Sequence, residues 1–124
     1  MAKKILIVED NEKNMKLLKD ILEYYGYTTF VSDNAEDGIK LASENTPDLI
    51  IMDIHLPGIS GNEAMKIIKS NDKTSNIPSI AVTASIMEHD RQEIMSSGFD
   101  GYQEKPIDRE KFVTLVKELL ETGT

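Results

Sequence analysis

The sequence predicts an α/β fold: a doubly wound, five-stranded parallel sheet with helices on both faces. Three observations predict it. Short unbroken apolar runs, Ile5-Leu6-Ile7-Val8 and Leu49-Ile50-Ile51-Met52, suit strands buried on both faces. Helix-period stripes separate such runs, and the alternation repeats five times within 124 residues. Both runs stop at carboxylates, Glu9-Asp10 and Asp53, and in open parallel sheets ligands bind beyond the carboxyl ends of the strands.

After the first strand, Asn11 to Tyr25 carries a helical stripe at Met15, Leu18, Leu22 and Tyr25, which Gly26 stops. Tyr27 to Val31 is β-branched and aromatic enough for a second strand. Asn34 can cap a helix to about Asn45, with Ala35, Ile39 and Ala42 inward, and Pro47 closes it. The third strand ends at Asp53. Gly61 to Ser70 forms a third helix with Ala64, Met65, Ile67 and Ile68 as its inner face. Pro78 to Thr83 reads as a fourth buried strand ending in a hydroxyl. The fourth helix, about Met87 to Ser97, has only Met87, Ile94 and Met95 for a buried stripe, and Gly98 ends it. So thin an apolar face predicts a loosely held helix. Asp100 to Glu104 makes a short fifth strand leading to Lys105-Pro106. Asp108 then caps a last helix with Phe112, Leu115, Val116, Leu119 and Leu120 inside. Right-handed crossovers leave few topologies, and the flavodoxin-like strand order 2-1-3-4-5 is expected.

Length suits one domain over residues 1–124. No apolar run approaches the roughly 20 residues of a membrane span, and the start leads straight into a strand, so a secretory signal is not expected. The absence of cysteine removes disulfides and thiolate metal sites and fits a reducing, cytoplasmic setting. The net charge of −8 argues against nucleic acid and anionic membranes, which leaves proteins as the expected partners.

In the 2-1-3-4-5 order, Glu9, Asp10, Asp53, Thr83 and Lys105 converge on one crevice. Unit charges ~4 Å apart interact by roughly 4 kcal/mol at an effective dielectric near 20, so three carboxylates there need protons or a hard divalent cation. For either strand alone, acids that merely cap the next helix are an equal alternative. Mg²⁺ suits the oxygens of Asp10, Asp53 and a backbone carbonyl at His55, with Glu9 holding a metal-bound water or orienting Asp10. A lone ammonium and a hydroxyl beside such an ion suit a phosphoryl group. Asp53 is then the nucleophile that forms an acyl phosphate, Lys105 balances charge, and Thr83 donates to a phosphoryl oxygen.

Val8-Glu9-Asp10, Met52-Asp53-Ile54-His55-Leu56-Pro57-Gly58-Ile59-Ser60-Gly61, Val82-Thr83-Ala84 and Lys105-Pro106 together resemble the motif set of response-regulator receiver domains, the CheY-like superfamily. The resemblance runs from about Lys3 to Leu120. It implies phosphorylation of Asp53 by a histidine kinase or histidine phosphotransfer protein, with Mg²⁺ as cofactor. It further implies that the Ala84 backbone helps bind the phosphoryl group and that Lys105-Pro106 is cis. Thr83 and Tyr102 match the family's switch pair, which reshapes the face of the fourth helix, fifth strand and fifth helix. A static half-buried aromatic is the plainer alternative for Tyr102. The acid pair is Glu-Asp rather than Asp-Asp, which should shift Glu9 outward and leave Asp10 for the metal. His55 could influence attacking water, or simply be a solvated loop residue supplying its carbonyl. His89 reads as a surface residue.

The run from Ile5 to Lys16 is similar to stand-alone DivK-type regulators and also to receivers joined to hybrid kinases. Little chain follows the last helix, so output is expected by docking to another protein, with a CheY-like motor role less favoured. The resemblance implies a phosphoacceptor switch with self-catalysed transfer and slow autodephosphorylation, not a turnover enzyme. A phosphohydrolase of the haloacid-dehalogenase type would need a second aspartate where His55 stands. A flavodoxin would need a hydroxyl- and glycine-rich loop after the first strand.

Overall fold

The apolar runs become strands because helices cover the sheet from both sides. In the computed structural model, which describes residues 2–84 and 87–122, the strands are β1 (Lys4–Val8), β2 (Thr28–Ser32), β3 (Leu49–Asp53), β4 (Ser79–Thr83) and β5 (Gly101–Glu104). All pairs are parallel, in the order β2-β1-β3-β4-β5. Every residue of β3 and β4 is buried, as continuous apolar runs in a two-sided sheet require.

The helices are α1 (Glu12–Tyr24), α2 (Ala35–Asn45), α3 (Gly61–Ser70), α4 (Glu88–Ser96) and α5 (Arg109–Thr122). Period-two alternation along the strands sorts the core into two layers. Ile5, Ile7, Leu49 and Ile51 meet Leu18 and Leu22 of α1 and Phe112 and Val116 of α5. Leu6, Val8, Ile50 and Met52 meet Ala35 and Ala42 of α2, Ala64, Met65 and Ile68 of α3, and Ile94 of α4. Side-chain caps start four helices. Asn11, Asn34, Ser60 and Asp108 each accept an N–H three residues on.

The strand order and all ten elements stand where the sequence put them, but several inward faces differ. In α1, Ile21 is buried and Tyr25 is not: Tyr24 and Tyr25 lie outside, under the cationic heads of Arg109 and Lys117. In α2, Gly38 is buried while Ile39 is only half-buried, because the helix backbone presses on β1. A Cβ at Gly38 would stand 2.7 Å from a Val8 methyl. Ile67 of α3 is exposed, and in α5 Val113 is buried while Leu115 and Leu119 only flank the core. The largest departure is α4, where Ile94 alone is buried and Met87 and Met95 are 58% and 46% exposed. The sheet ends there in a four-residue edge strand, so little apolar surface remains to cover them.

Thr46 closes α2 in the left-handed region at φ 41°. A β-branched side chain is strained there, and Pro47 follows at once. Thr46→Gly is therefore expected to stabilise the fold by about 0.5–1 kcal/mol. Urea unfolding checks it: the midpoint rises while the slope stays constant.

Candidate functional site

The register of the strands builds the site. Ile54 N–H donates to Val82 O at 3.0 Å and Lys105 N–H to Thr83 O at 2.7 Å, so the carboxyl ends of β3, β4 and β5 finish side by side. Val8 pairs with Met52, which sets Glu9 beside Asp53. The chain leaving β3 turns back tightly, with Gly61 N–H donating to Ile54 O at 2.9 Å. A Cβ at Gly61 would collide with the Asp53 carbonyl oxygen, so only glycine lets α3 start this close to β3.

Asp53 is 4% exposed and held at both oxygens: His55 N–H donates to Oδ1 at 3.0 Å and Lys105 Nζ to Oδ2 at 3.1 Å. Lys105 reaches across from the end of β5, and its Nζ also stands 3.1 Å from Glu9 Oε1. That second contact is an ion pair outside hydrogen-bonding angles, so Oε1 is buried with no hydrogen-bond partner. Glu9 Oε2 accepts Asn11 N–H at 3.1 Å. Asp10 is exposed at the mouth, and one oxygen each from Glu9, Asp10 and Asp53 can lie within 4.8 Å of one another.

Three carboxylates face one ammonium here. Burial, then the close approach of the Asp53 carboxylate, push the Glu9 carboxyl up to about 7. Burial alone would pull the Lys105 ammonium down, but Glu9 and Asp53 outweigh it and hold its pKa above the ordinary lysine value. An orphaned carboxylate oxygen between two further carboxylates is a set of hard oxygen donors with excess negative charge. It fits a small divalent cation such as Mg²⁺, which keeps several of its own waters.

The structure brings together Glu9, Asp10, Asp53 and Lys105, with Thr83 buried at the end of β4 and Ala84 exposed just after it. One expectation fails. Glu9 is not shifted outward but is 2% exposed, whereas Asp10 faces solvent. The extra methylene lets Glu9 fold back under the Asn11 amide and reach Lys105. The Asn11 and His55 amides were not singled out in the sequence, because a backbone donor carries no side-chain signature. The Lys105-Pro106 peptide is cis. Tyr102 is half-buried against the core layer that contains Ile94, and its hydroxyl accepts from Arg91 of α4 at 3.4 Å.

Comparison with known proteins decides the family: the model of the response regulator receiver domain matches residues 5–117. The chain belongs to that family. Receiver domains of two-component signalling accept a phosphoryl group on an aspartate. The chain is 45% identical to the polar-differentiation response regulator DivK of Brucella anthropi over 120 residues, covering 97% of this chain and 98% of that protein. It is 43% identical to DivK of Brucella ovis over the same span. Among solved structures, the CheY-like receiver domain protein of Methanospirillum hungatei superposes with a TM-score of 0.92 at 26% identity, covering 99% and 97% of the two chains. The receiver domain of a Pseudomonas aeruginosa sensor histidine kinase gives 0.91 at 26% identity, covering 98% and 99%. That structure carries a magnesium ion coordinated in its active-site cleft. No helix among the described residues of this receiver is long and apolar enough to cross a membrane.

The raised Glu9 pKa gives a signed expectation. Folded Glu9 keeps its proton up to about pH 7, whereas the unfolded chain releases it near 4.5, so the folded state binds more protons between those values. Its share of stability is complete below about 4.5 and falls as pH rises towards 7. Thermal unfolding in metal-free buffer from pH 4.5 to 8 should show that decline, and Glu9→Gln should flatten it.

Proposed function

We propose that Asp53 is the phosphoacceptor of this receiver and that a histidine kinase or histidine phosphotransfer protein is the donor. The observation that supports this most is the Lys105 Nζ–Asp53 Oδ2 contact, which joins residues 52 apart at the ends of two strands. An oxygen of the Asp53 carboxylate attacks the phosphorus of a phosphohistidine. The P–O bond forms, the P–N bond breaks, and the imidazole leaves with the electron pair and takes a proton from solvent. Because both Asp53 oxygens are held before the donor arrives, little orientational entropy is lost on the way to the transition state. Lys105 then faces the developing phosphoryl charge, with the Thr83 hydroxyl and the Ala84 backbone N–H as donors to its oxygens.

Mg²⁺ is the proposed cofactor. Glu9, Asp10, Asp53 and the His55 carbonyl would hold it, and it would neutralise charge between carboxylate and phosphoryl oxygens. His55 stands where a phosphohydrolase would carry its second aspartate, so the proposed chemistry ends at self-catalysed transfer and slow autodephosphorylation.

Output is proposed at the face of α4, β5 and α5. Met87, Arg91 and Met95 are spaced i, i+4, i+8 and share one side of α4. The Arg91 contact with Tyr102 turns that side towards β5. The exposed methionines there give a soft, adaptable surface. A shallow cavity of about 450 Å³ on the α5 side of β5 is lined in part by Gln103, Thr114 and Leu115. Phosphorylation would draw Thr83 towards the phosphoryl group and let Tyr102 leave Arg91, which biases a helix held by one buried side chain.

Incubation with acetyl phosphate and Mg²⁺ should add one phosphoryl group by intact mass. Chelation or Asp53→Asn should abolish the gain, and Lys105→Ala should slow it by about 10²-fold. A gain that persists in Asp53→Asn overturns the assignment. For the switch, beryllofluoride should raise amide hydrogen exchange in α4 by about tenfold or more while leaving β1 and β3 unchanged. Equal exchange in both states rejects a moving α4.

A further inference from the structure

The open edge of β2 carries a cleft that the phosphoacceptor reading leaves unused. Among the described residues, β2 pairs only with β1. Thr28 N–H donates to Lys3 O at 2.9 Å and Ser32 O accepts Glu9 N–H at 3.0 Å, so the even-numbered residues of β2 turn their backbone groups towards β1. By the two-residue alternation of a strand, Thr29 and Val31 turn theirs to the free edge, where no other described strand lies. Val31 is 43% exposed there. Above this edge the outer flanks of α1 and α2 enclose about 840 Å³, with Met15, Val31 and Leu41 as the apolar lining.

Charge decides what fits. Seven carboxylates and three lysines line the cleft, a balance of −4, and it stays negative with Glu9 counted as neutral. Two of those lysines are already engaged: Lys16 with Asp20 at 2.7 Å and Lys19 with Glu23 at 3.0 Å. A second copy of this chain would bring the same acidic rim against itself, on a protein of net charge −8, so self-pairing across this edge is disfavoured.

We infer that the β2 edge is a docking site for an extended, basic segment of a partner protein, which adds as a sixth strand beside Val31. Its backbone takes the outward N–H and C=O of Val31, its apolar side chains meet Met15 and Leu41, and its lysines or arginines meet the acids on both flanks. This mode goes beyond the phosphoacceptor reading and does not depend on it. Because Glu9 and Asp10 also line the cleft, a strand seated here lies beside the acid pocket.

The test uses the ¹⁵N-labelled chain and a capped hexapeptide of alternating lysine and valine. Its control is the same peptide with alternate backbone nitrogens methylated, which keeps charge and removes the ladder donors. The unmethylated peptide should shift the amides of Val31, Asp33, Met15 and Leu41 and bind several-fold tighter at low salt than at physiological salt. The methylated control should bind about tenfold more weakly, the loss of one or two net hydrogen bonds. Val31→Pro removes an outward N–H at an edge position that tolerates proline, and should cost a similar factor with thermal unfolding within a few degrees of the parent. The double variant Asp37→Asn, Glu44→Gln leaves the edge backbone intact and should weaken binding several-fold, which decides the matter even where the proline variant fails to fold. Equal binding of the two peptides, shifts that map outside the cleft, or no binding at all overturns the proposal.

Discussion

The lysine at the end of the fifth strand is shared by two buried carboxylates, and much of the molecule serves that sharing. Lys105 Nζ stands 3.1 Å from both Asp53 and Glu9. Without it, two carboxylates would sit almost wholly buried with only backbone amides for company. Removing one partner of a buried ionic cluster leaves uncompensated charge, which costs more than the cluster contributes when complete. The parallel register of β1, β3, β4 and β5 is what lets residues so far apart in sequence meet, and the buried apolar runs fix that register.

The ammonium only partly compensates. Burial, and after it the neighbouring Asp53, push the Glu9 carboxyl up to about 7, and one of its oxygens has no hydrogen bond; three carboxylates stand here against one cation. That imbalance is chemically useful. A site already saturated by its own side chains would have no reason to take up a divalent ion or a phosphoryl group. Here both charge and donor capacity stay open at the carboxyl edge of the sheet, while the layers beneath are closed by aliphatic packing.

Most of this was legible in the sequence because its signals were contiguous. An unbroken run such as Leu49–Met52 can hardly be anything but an inner strand, and a polar residue at its end marks the functional edge. Helix faces were read less well, since periodicity names a stripe but not its borders. Tyr25 and Ile67 fit the stripes of α1 and α3 yet lie outside, whereas Ile21 and Val113, not picked from the pattern, lie inside. Tyr25 is retained at the surface by two cations from α5, a tertiary contact that no local window contains. Glu9 was misplaced for a related reason. A residue's type gives the length of its reach, but the direction depends on an amide two residues on and a lysine from the far end of the chain.

The weak seat of α4 has a consequence for signalling at rest. Burying a single isoleucine is worth about 1.5–3 kcal/mol, and α4 has only Ile94 in that role. A gap of that size leaves an alternative arrangement populated at roughly 1–10% before any donor arrives. Under the proposed α4 switch, such a receiver would carry a floor of spontaneous output. Its dynamic range would then be set from below by one aliphatic contact and from above by the phosphoryl group, so tightening the seat of this helix would quieten the background and raise the threshold together.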